Sequence, residues 1–194
     1  MTKLILASAS PRRAELLRSL GLQFDVLPTG ADERDEHPTS VHDLALHNAR
    51  VKALDAAARH PDALVLGADT IVVLGSEVFG KPRDLDDARR MLRRLSGQTH
   101  SVITGVCLLC RGGNRERTFA VETRVRFRPL SDTDIEQYLD AVHVLDKAGA
   151  YAIQEGPPLV ENIEGSYSNV VGLPLERLAA ELREFGVCAS RLIK

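Results

Sequence analysis

Two hydrophobic periods alternate along this chain, and the switches between them mark most of its elements. Residues 3–8 form a short apolar run that reads as a strand. Ser10-Pro11 then opens a helix, with serine as the N-cap and proline at the first position, where its missing N–H leaves no bond unmade. That helix runs to about Leu20 and stops at Gly21. Residues 23–28 read as a second strand, and a polar stretch, 29–40, leads into a helix over 41–58. Residues 63–74 are a strand interrupted by Gly67-Ala68-Asp69, and Gly75-Ser76 is the turn of a hairpin. The next helix, over 84–95, carries its apolar stripe at Leu85, Ala88, Leu92 and Leu95, with aspartates first and arginines last, as the helix dipole favours. Two long strands follow, 99–110 and 117–128. The second sets Val121, Thr123, Val125 and Phe127 on one face and Glu122, Arg124, Arg126 and Arg128 on the other. A helix starts near Ser131, where Asp134 completes a capping box. The last helix begins at Pro174 and ends at Phe185-Gly186, burying Leu175, Leu178, Leu182 and Phe185. Interleaved helices and strands, with both hairpins and crossovers, predict an α/β fold with a mixed twisted sheet and flanking helices.

Composition narrows the function classes. At 194 residues the chain is one domain, 1–194, long enough to bury a proper core. Net charge is −2 and aromatics make up 4%, so neither an electrostatic grip on nucleic acid nor a stacking platform for single strands is expected. No run approaches the ~20 apolar residues of a bilayer span, and the apolar start is too short for a signal peptide, which predicts a cytoplasmic protein without membrane contact. Cys107 and Cys110 form a CxxC, but on a buried strand, where neighbours three apart face opposite ways, so they read as core residues. Arg89-Arg90 and Arg93-Arg94 read as a solvated face paired with the aspartates a turn away.

Four stretches carry candidate chemistry. In SASPRR, Ser8, Ser10, Arg12 and Arg13 surround a helix start, whose free N–H groups favour anions; this is either a capped helix with two solvated arginines or a phosphate site. In GADT, Asp69 leaves an apolar strand after Gly-Ala, either capping a turn or aiming a carboxylate at a metal ion or a water molecule. Lys81, between Gly80 and Pro82, has its stem fixed by a backbone turn. Lys52, in mid-helix, reads locally as a solvated lysine. The segment DKAGAYAIQ, Asp146 to Gln154, ends in an amide able to match a base edge. The segment IEGSYSNVVGLPL places Gly165 and Gly172 around a polar-to-apolar switch. Two arginines, two lysines, Ser8, Asp69 and Glu33 in a nearly neutral chain suit a nucleoside triphosphate with a divalent ion.

LASASPRRAELL, GADTIVVL, GKPRD, LSGQTHSVITGV, DKAGAYAIQ and GSYSNVVGLPL resemble, in order and over nearly the whole chain, the Maf family of nucleoside triphosphate pyrophosphatases. The resemblance implies a Maf/ITPase-like fold with a cleft between two lobes. It also implies hydrolysis of a nucleoside triphosphate to monophosphate and pyrophosphate with Mg²⁺ or Mn²⁺, and a homodimer. It carries Asp69 over as the proton acceptor and Arg12, Thr70 and Gln154 as substrate-selecting positions. Ser8, Arg13, Lys52 and Lys81 become groups around the triphosphate, and Glu33, with Asp69, a metal ligand. DKAGAYAIQ resembles the dTTP/UTP branch, where nucleotide-pool cleaning is implied; the alternatives are the 7-methyl-GTP branch and a non-enzymatic regulator of septum formation. Two positions depart from the pattern: His143 stands where relatives have Glu before DKAG, and Glu155 where a Gly usually follows the Gln.

Overall fold

The computed structural model describes residues 3–34 and 39–189, so Asp35 to Pro38 of the acidic stretch lie outside the described residues. Among the described residues seven strands, β1 Leu4–Ala7, β2 Asp25–Val26, β3 Leu64–Leu74, β4 Glu77–Phe79, β5 Thr99–Cys110, β6 Arg115–Phe127 and β7 Val160–Glu164, are ordered β2-β1-β3-β5-β6-β7, with β4 paired to β3. β1 pairs in parallel with β2 and β3, whereas β3–β4 and β6–β7 are antiparallel. The helices are α1 Pro11–Ser19, α2 Val41–Arg59, α3 Leu85–Leu95, α4 Asp132–Ala141, α5 Tyr167–Val171 and α6 Leu175–Glu184, with one 3-10 turn at Ala148–Ala150. The mixed α/β sheet expected from patterning is present. Among the described residues no helix is long and apolar enough to cross a membrane.

The chain divides into two compact units, 3–34, 39–69, 104–121 and 172–189 forming the first and 70–103 with 122–171 the second. In the first, α2 lies on the strands at backbone distance. A Cβ on Gly67 would sit 2.2 Å from the Ala49 carbonyl oxygen, and one on Gly105 would sit 2.4 Å from that of Ala45. The helix matches these glycines with alanines: Ala45, Ala49, Ala53, Ala56 and Ala57 have no exposed surface. Leucines of β1, α1, β3, β5 and α6 form another core, including Leu6, Leu17, Leu66, Leu108 and Leu178. In the second unit, α3 and α4 enclose Leu92, Phe127, Ile135 and Tyr138.

Local signals held where local physics suffices. Ser10 caps α1 by accepting from Arg13 N, and Ser131 and Asp134 form the capping box of α4. The Gly75 turn joins β3 to β4 with φ +63°. Cys107 is buried in one core and Cys110, half-buried, packs against the other; burial pushes the Cys107 thiol up to about 12. Each arginine of the basic run on α3 meets a carboxylate: Arg89 meets Asp86 and Glu136, Arg90 meets Asp87, Arg93 meets Asp132 and Arg94 meets Glu77.

Three expectations need correction, and one strand was not anticipated. β3 runs unbroken through Gly67-Ala68-Asp69, where the glycine admits α2 instead of ending the strand. β2 is two residues rather than six, because it is an edge strand that ends just before Pro28, which has no N–H for a ladder. β6 starts at Arg115, two residues early; Arg115 lies over Phe185 and Arg117 pairs with Glu181, contacts invisible to an apolar pattern. β7 lacks a strand pattern altogether; it is an edge strand on the antiparallel ladder of β6, with exposed Arg124–Glu164 and Arg126–Glu161 pairs across the two strands.

Candidate active site

The glycine–alanine contact between α2 and β3 decides what surrounds Asp69. One helical turn separates Asn48 from Lys52, so both point from the same face as the alanines, towards the strand. All three polar side chains are buried: Asn48 is 4%, Lys52 8% and Asp69 9% exposed. The Lys52 ammonium lies 2.8 Å from Asp69 Oδ1 and 2.7 Å from Glu33 Oε2. Asn48 Nδ2 donates to Asp69 Oδ2 at 3.3 Å and to the Arg34 carbonyl at 2.9 Å, while Asn48 Oδ1 accepts from Arg34 N at 2.9 Å. Asn48 thus ties the loop bearing Glu33 to the carboxylate of Asp69. Lys52, read locally as solvated, is the shared cation of two carboxylates.

Arg13 approaches from α1. Its Nη1 donates to the Ala68 carbonyl at 2.8 Å and to Ser8 Oγ at 3.3 Å, and its Nε donates to the Gly172 carbonyl at 3.1 Å. Ser8 Oγ also accepts from Ser10 N at 3.2 Å. The guanidinium therefore clips together the helix start, the residue before Asp69 and Gly172. Burial lowers the Arg13 pKa, Asp69 opposes that, Arg12 adds to it, and Glu33 opposes it, so Arg13 stands in the field of both carboxylates and of its neighbouring guanidinium. Ser8, Arg12, Arg13, Glu33, Lys52 and Asp69 are thus assembled within the first unit.

Two carboxylates that converge on one cation are the donor set a hard divalent ion accepts, and Mg²⁺ commonly takes one or two carboxylates and completes its shell with phosphate oxygens and water. Among the described residues no three His, Cys, Asp or Glu side chains cluster around one point. Glu33 and Asp69 fit a site that is completed by substrate, not an all-protein cage.

The remaining expected residues belong to the second unit. Thr70, half-buried, follows Asp69 on β3, and Lys81 and Gln154 are exposed. The loop of Lys81 is tied to DKAGAYAIQ by a bond from Gly149 N to the Gly80 carbonyl, 3.0 Å. Gly149 and Ala150 both take positive φ, +69° and +60°, the second a left-handed alanine held only by what surrounds it. The Tyr138 hydroxyl accepts from Ala152 N at 2.9 Å and donates to Ala152 O at 3.2 Å. Beneath the loop His100 Nε2 and the Tyr151 hydroxyl are hydrogen-bonded at 2.8 Å, with Phe127 edge-on to both rings. Burial lowers His100 to about 4, and burial together with the neighbouring Tyr138 raises Tyr151 well above its usual value, so both are neutral at physiological pH.

Sequence reasoning missed Asn48 as a functional residue. The available signal was a polar residue in an alanine stripe: positions 45, 49, 53 and 56 mark the covered face of α2, and both Asn48 and Lys52 border it.

The family described as Maf-like protein matches residues 3–185. The chain is 50% identical over 187 residues to the dTTP/UTP pyrophosphatase of Myxococcus xanthus, covering 96% of this chain and 94% of that one. It is 45% identical to the dTTP/UTP pyrophosphatase of Acetivibrio thermocellus over the full length of both. Among solved structures, the Ham1 protein of Staphylococcus aureus aligns with a TM-score of 0.48 at 12% identity, over 65% of this chain and 72% of that one.

Proposed function

The chain belongs to the Maf-like protein family, and from that premise we propose that it hydrolyses dTTP and UTP to the monophosphate and pyrophosphate. The names of its relatives support the reaction and the pyrimidine substrates. The observation that carries the reading is the Asp69–Lys52–Glu33 cluster, where two carboxylates share one buried cation beside Arg13.

In the proposed mechanism a water molecule attacks the α-phosphorus and passes a proton to Asp69, whose second oxygen is held by Asn48. The bond from the α-phosphorus to the bridging oxygen breaks, and the β–γ pair leaves as pyrophosphate. Ser8, Arg12, Arg13, Lys52 and Lys81 supply donors to the triphosphate oxygens; such donors act most strongly where charge develops in the transition state. Mg²⁺ or Mn²⁺, taken by Glu33 and Asp69, supplies neutralisation of the triphosphate charge when bound. Gln154 presents an amide donor and acceptor to the pyrimidine edge, and Thr70 shares in substrate selection. A cytoplasmic homodimer engaged in nucleotide-pool cleaning completes the proposal.

Product analysis tests it. Purified protein incubated with Mg²⁺ or Mn²⁺ and a panel of nucleoside triphosphates is expected to release dTMP or UMP with pyrophosphate, and to stop when EDTA is added. Release of inorganic phosphate alone overturns the mechanism. Preferential release of 7-methyl-GMP keeps the reaction and overturns the pyrimidine assignment. Binding without turnover favours the regulator.

A further inference from the structure

Lys147 is the most heavily engaged ammonium of the second unit, and no role in the reaction proposed above accounts for it. It is 5% exposed, inside the DKAG segment. A buried ammonium stands only where its charge is matched and its donors are used. Here it donates to the His143 carbonyl at 2.5 Å and lies 2.9 Å from Asp146 Oδ1 and 3.3 Å from Glu155 Oε2. These partners differ in what they accomplish. Asp146 is the adjacent residue and closes no loop. Glu155, eight positions on, draws the chain after Gln154 back to the chain before it. The other flank of Gln154 is fixed separately, by the Tyr138 hydroxyl on both backbone groups of Ala152, and the Glu155 N–H donates to the Ala152 carbonyl at 3.3 Å. Gln154 is therefore an exposed amide on a turn whose two ends are both tethered to buried groups. Glu155 is also a position at which this chain departs from the motif pattern, and its side chain is the one that meets Lys147, whereas His143 contributes its backbone carbonyl.

We propose that Lys147 and Glu155 form a clamp that positions Gln154, so that they are specificity-determining positioning residues for the pyrimidine base. The inference rests on the reading of Gln154 as the base-contacting amide. The clamp acts on geometry: a donor–acceptor pair displaced by about 1 Å no longer meets the base edge within hydrogen-bonding range. Its expected signature is thus a change in the choice of base, carried by KM, with little change in kcat for the preferred nucleotide.

The test compares wild type, Glu155→Gln, Lys147→Met, Lys147→Arg and the Glu155→Gln/Lys147→Met double variant as purified full-length proteins, assayed with UTP and CTP. Thermal unfolding confirms that each is folded. Glu155→Gln is expected to lower the UTP-over-CTP ratio of kcat/KM about tenfold, mainly through KM for UTP. Lys147→Met has at least as large an effect, Lys147→Arg restores part of the preference, and the double variant is no worse than Lys147→Met alone, because both remove one interaction. Amide hydrogen exchange over residues 148–156 is expected to quicken in Glu155→Gln, a readout that needs no turnover. If Lys147→Met does not fold, Glu155→Gln decides alone. A folded Glu155→Gln protein with wild-type discrimination and exchange overturns the clamp while the reading of Gln154 stands. Wild-type protein that turns over UTP and CTP equally overturns the reading of Gln154, and the clamp with it.

Discussion

The surroundings of Asp69 and those of Gln154 solve the same problem, holding a polar group in place, by opposite means. Asp69 sits on a strand, against a helix brought to backbone distance by Gly67 and Gly105, and its partners Lys52 and Asn48 come from that helix. Gln154 sits on an irregular turn, and its fixation comes from side chains that tie the turn down: Tyr138 at Ala152 and Lys147 at Glu155. The first arrangement is as rigid as the packing of two regular elements. The second is as rigid as a few bonds, and each can be lost alone. The role proposed for Asp69, proton exchange at one fixed point, suits the former. The role proposed for Gln154, telling one base from another, suits a turn that can be adjusted by single substitutions without disturbing the sheet.

Substitutions can break or sharpen this contrast. The largest effect is expected at Asp69→Asn, which keeps the shape and removes the proposed proton acceptor: turnover should fall about 10²–10⁴-fold, with nucleotide binding retained by equilibrium titration. Lys52→Met is next. It leaves two carboxylates facing each other with their shared cation gone, and denaturant unfolding should show a loss of about 3 kcal/mol together with lost activity, because stability and chemistry share this cluster.

In the second unit the two should separate. Burial holds His100 at about 4, so the unfolded chain binds a proton below about pH 6.5 while the folded one does not until near pH 4. Stability carried by neutral His100 is thus present above that window and is lost as pH falls through it, on the order of 3 kcal/mol from about 1.36 kcal/mol per pH unit over the window. Denaturant unfolding at pH 7.5 and 4.5 should show a smaller acid loss in His100→Gln than in wild type. The smallest effect is expected at Tyr138→Phe, which strands the Ala152 N–H: about 1–2 kcal/mol of stability, and a weaker preference for UTP over CTP at nearly unchanged kcat.

Most of the regular elements were legible because their causes are local. Ser10 and Ser131 cap their helices through bonds that span three residues, and the alternation along 121–127 needs only the period of a strand. The edge strand β7 was not legible, since its partners Arg124 and Arg126 lie 35 to 40 positions away on β6. The site divides in the same way. Asp69 and Arg13 stand in motifs that can be read along the chain, whereas the burial of Lys52 depends on Gly67 and Gly105 admitting α2.

The sequence by itself determined the α/β class, the caps and turns, the family and the residue types a triphosphate requires, because each rests on short-range periodicity or on contiguous motifs. Only the tertiary structure decided that Lys52 joins Glu33 to Asp69, that Asn48 anchors Asp69 and the backbone of Arg34 next to Glu33, and that Lys147 gathers His143, Asp146 and Glu155 around the turn of Gln154. The reason is physical. The charge of a buried lysine must be matched by whatever the fold brings within about 3 Å, and sequence spacing does not fix which carboxylate that will be.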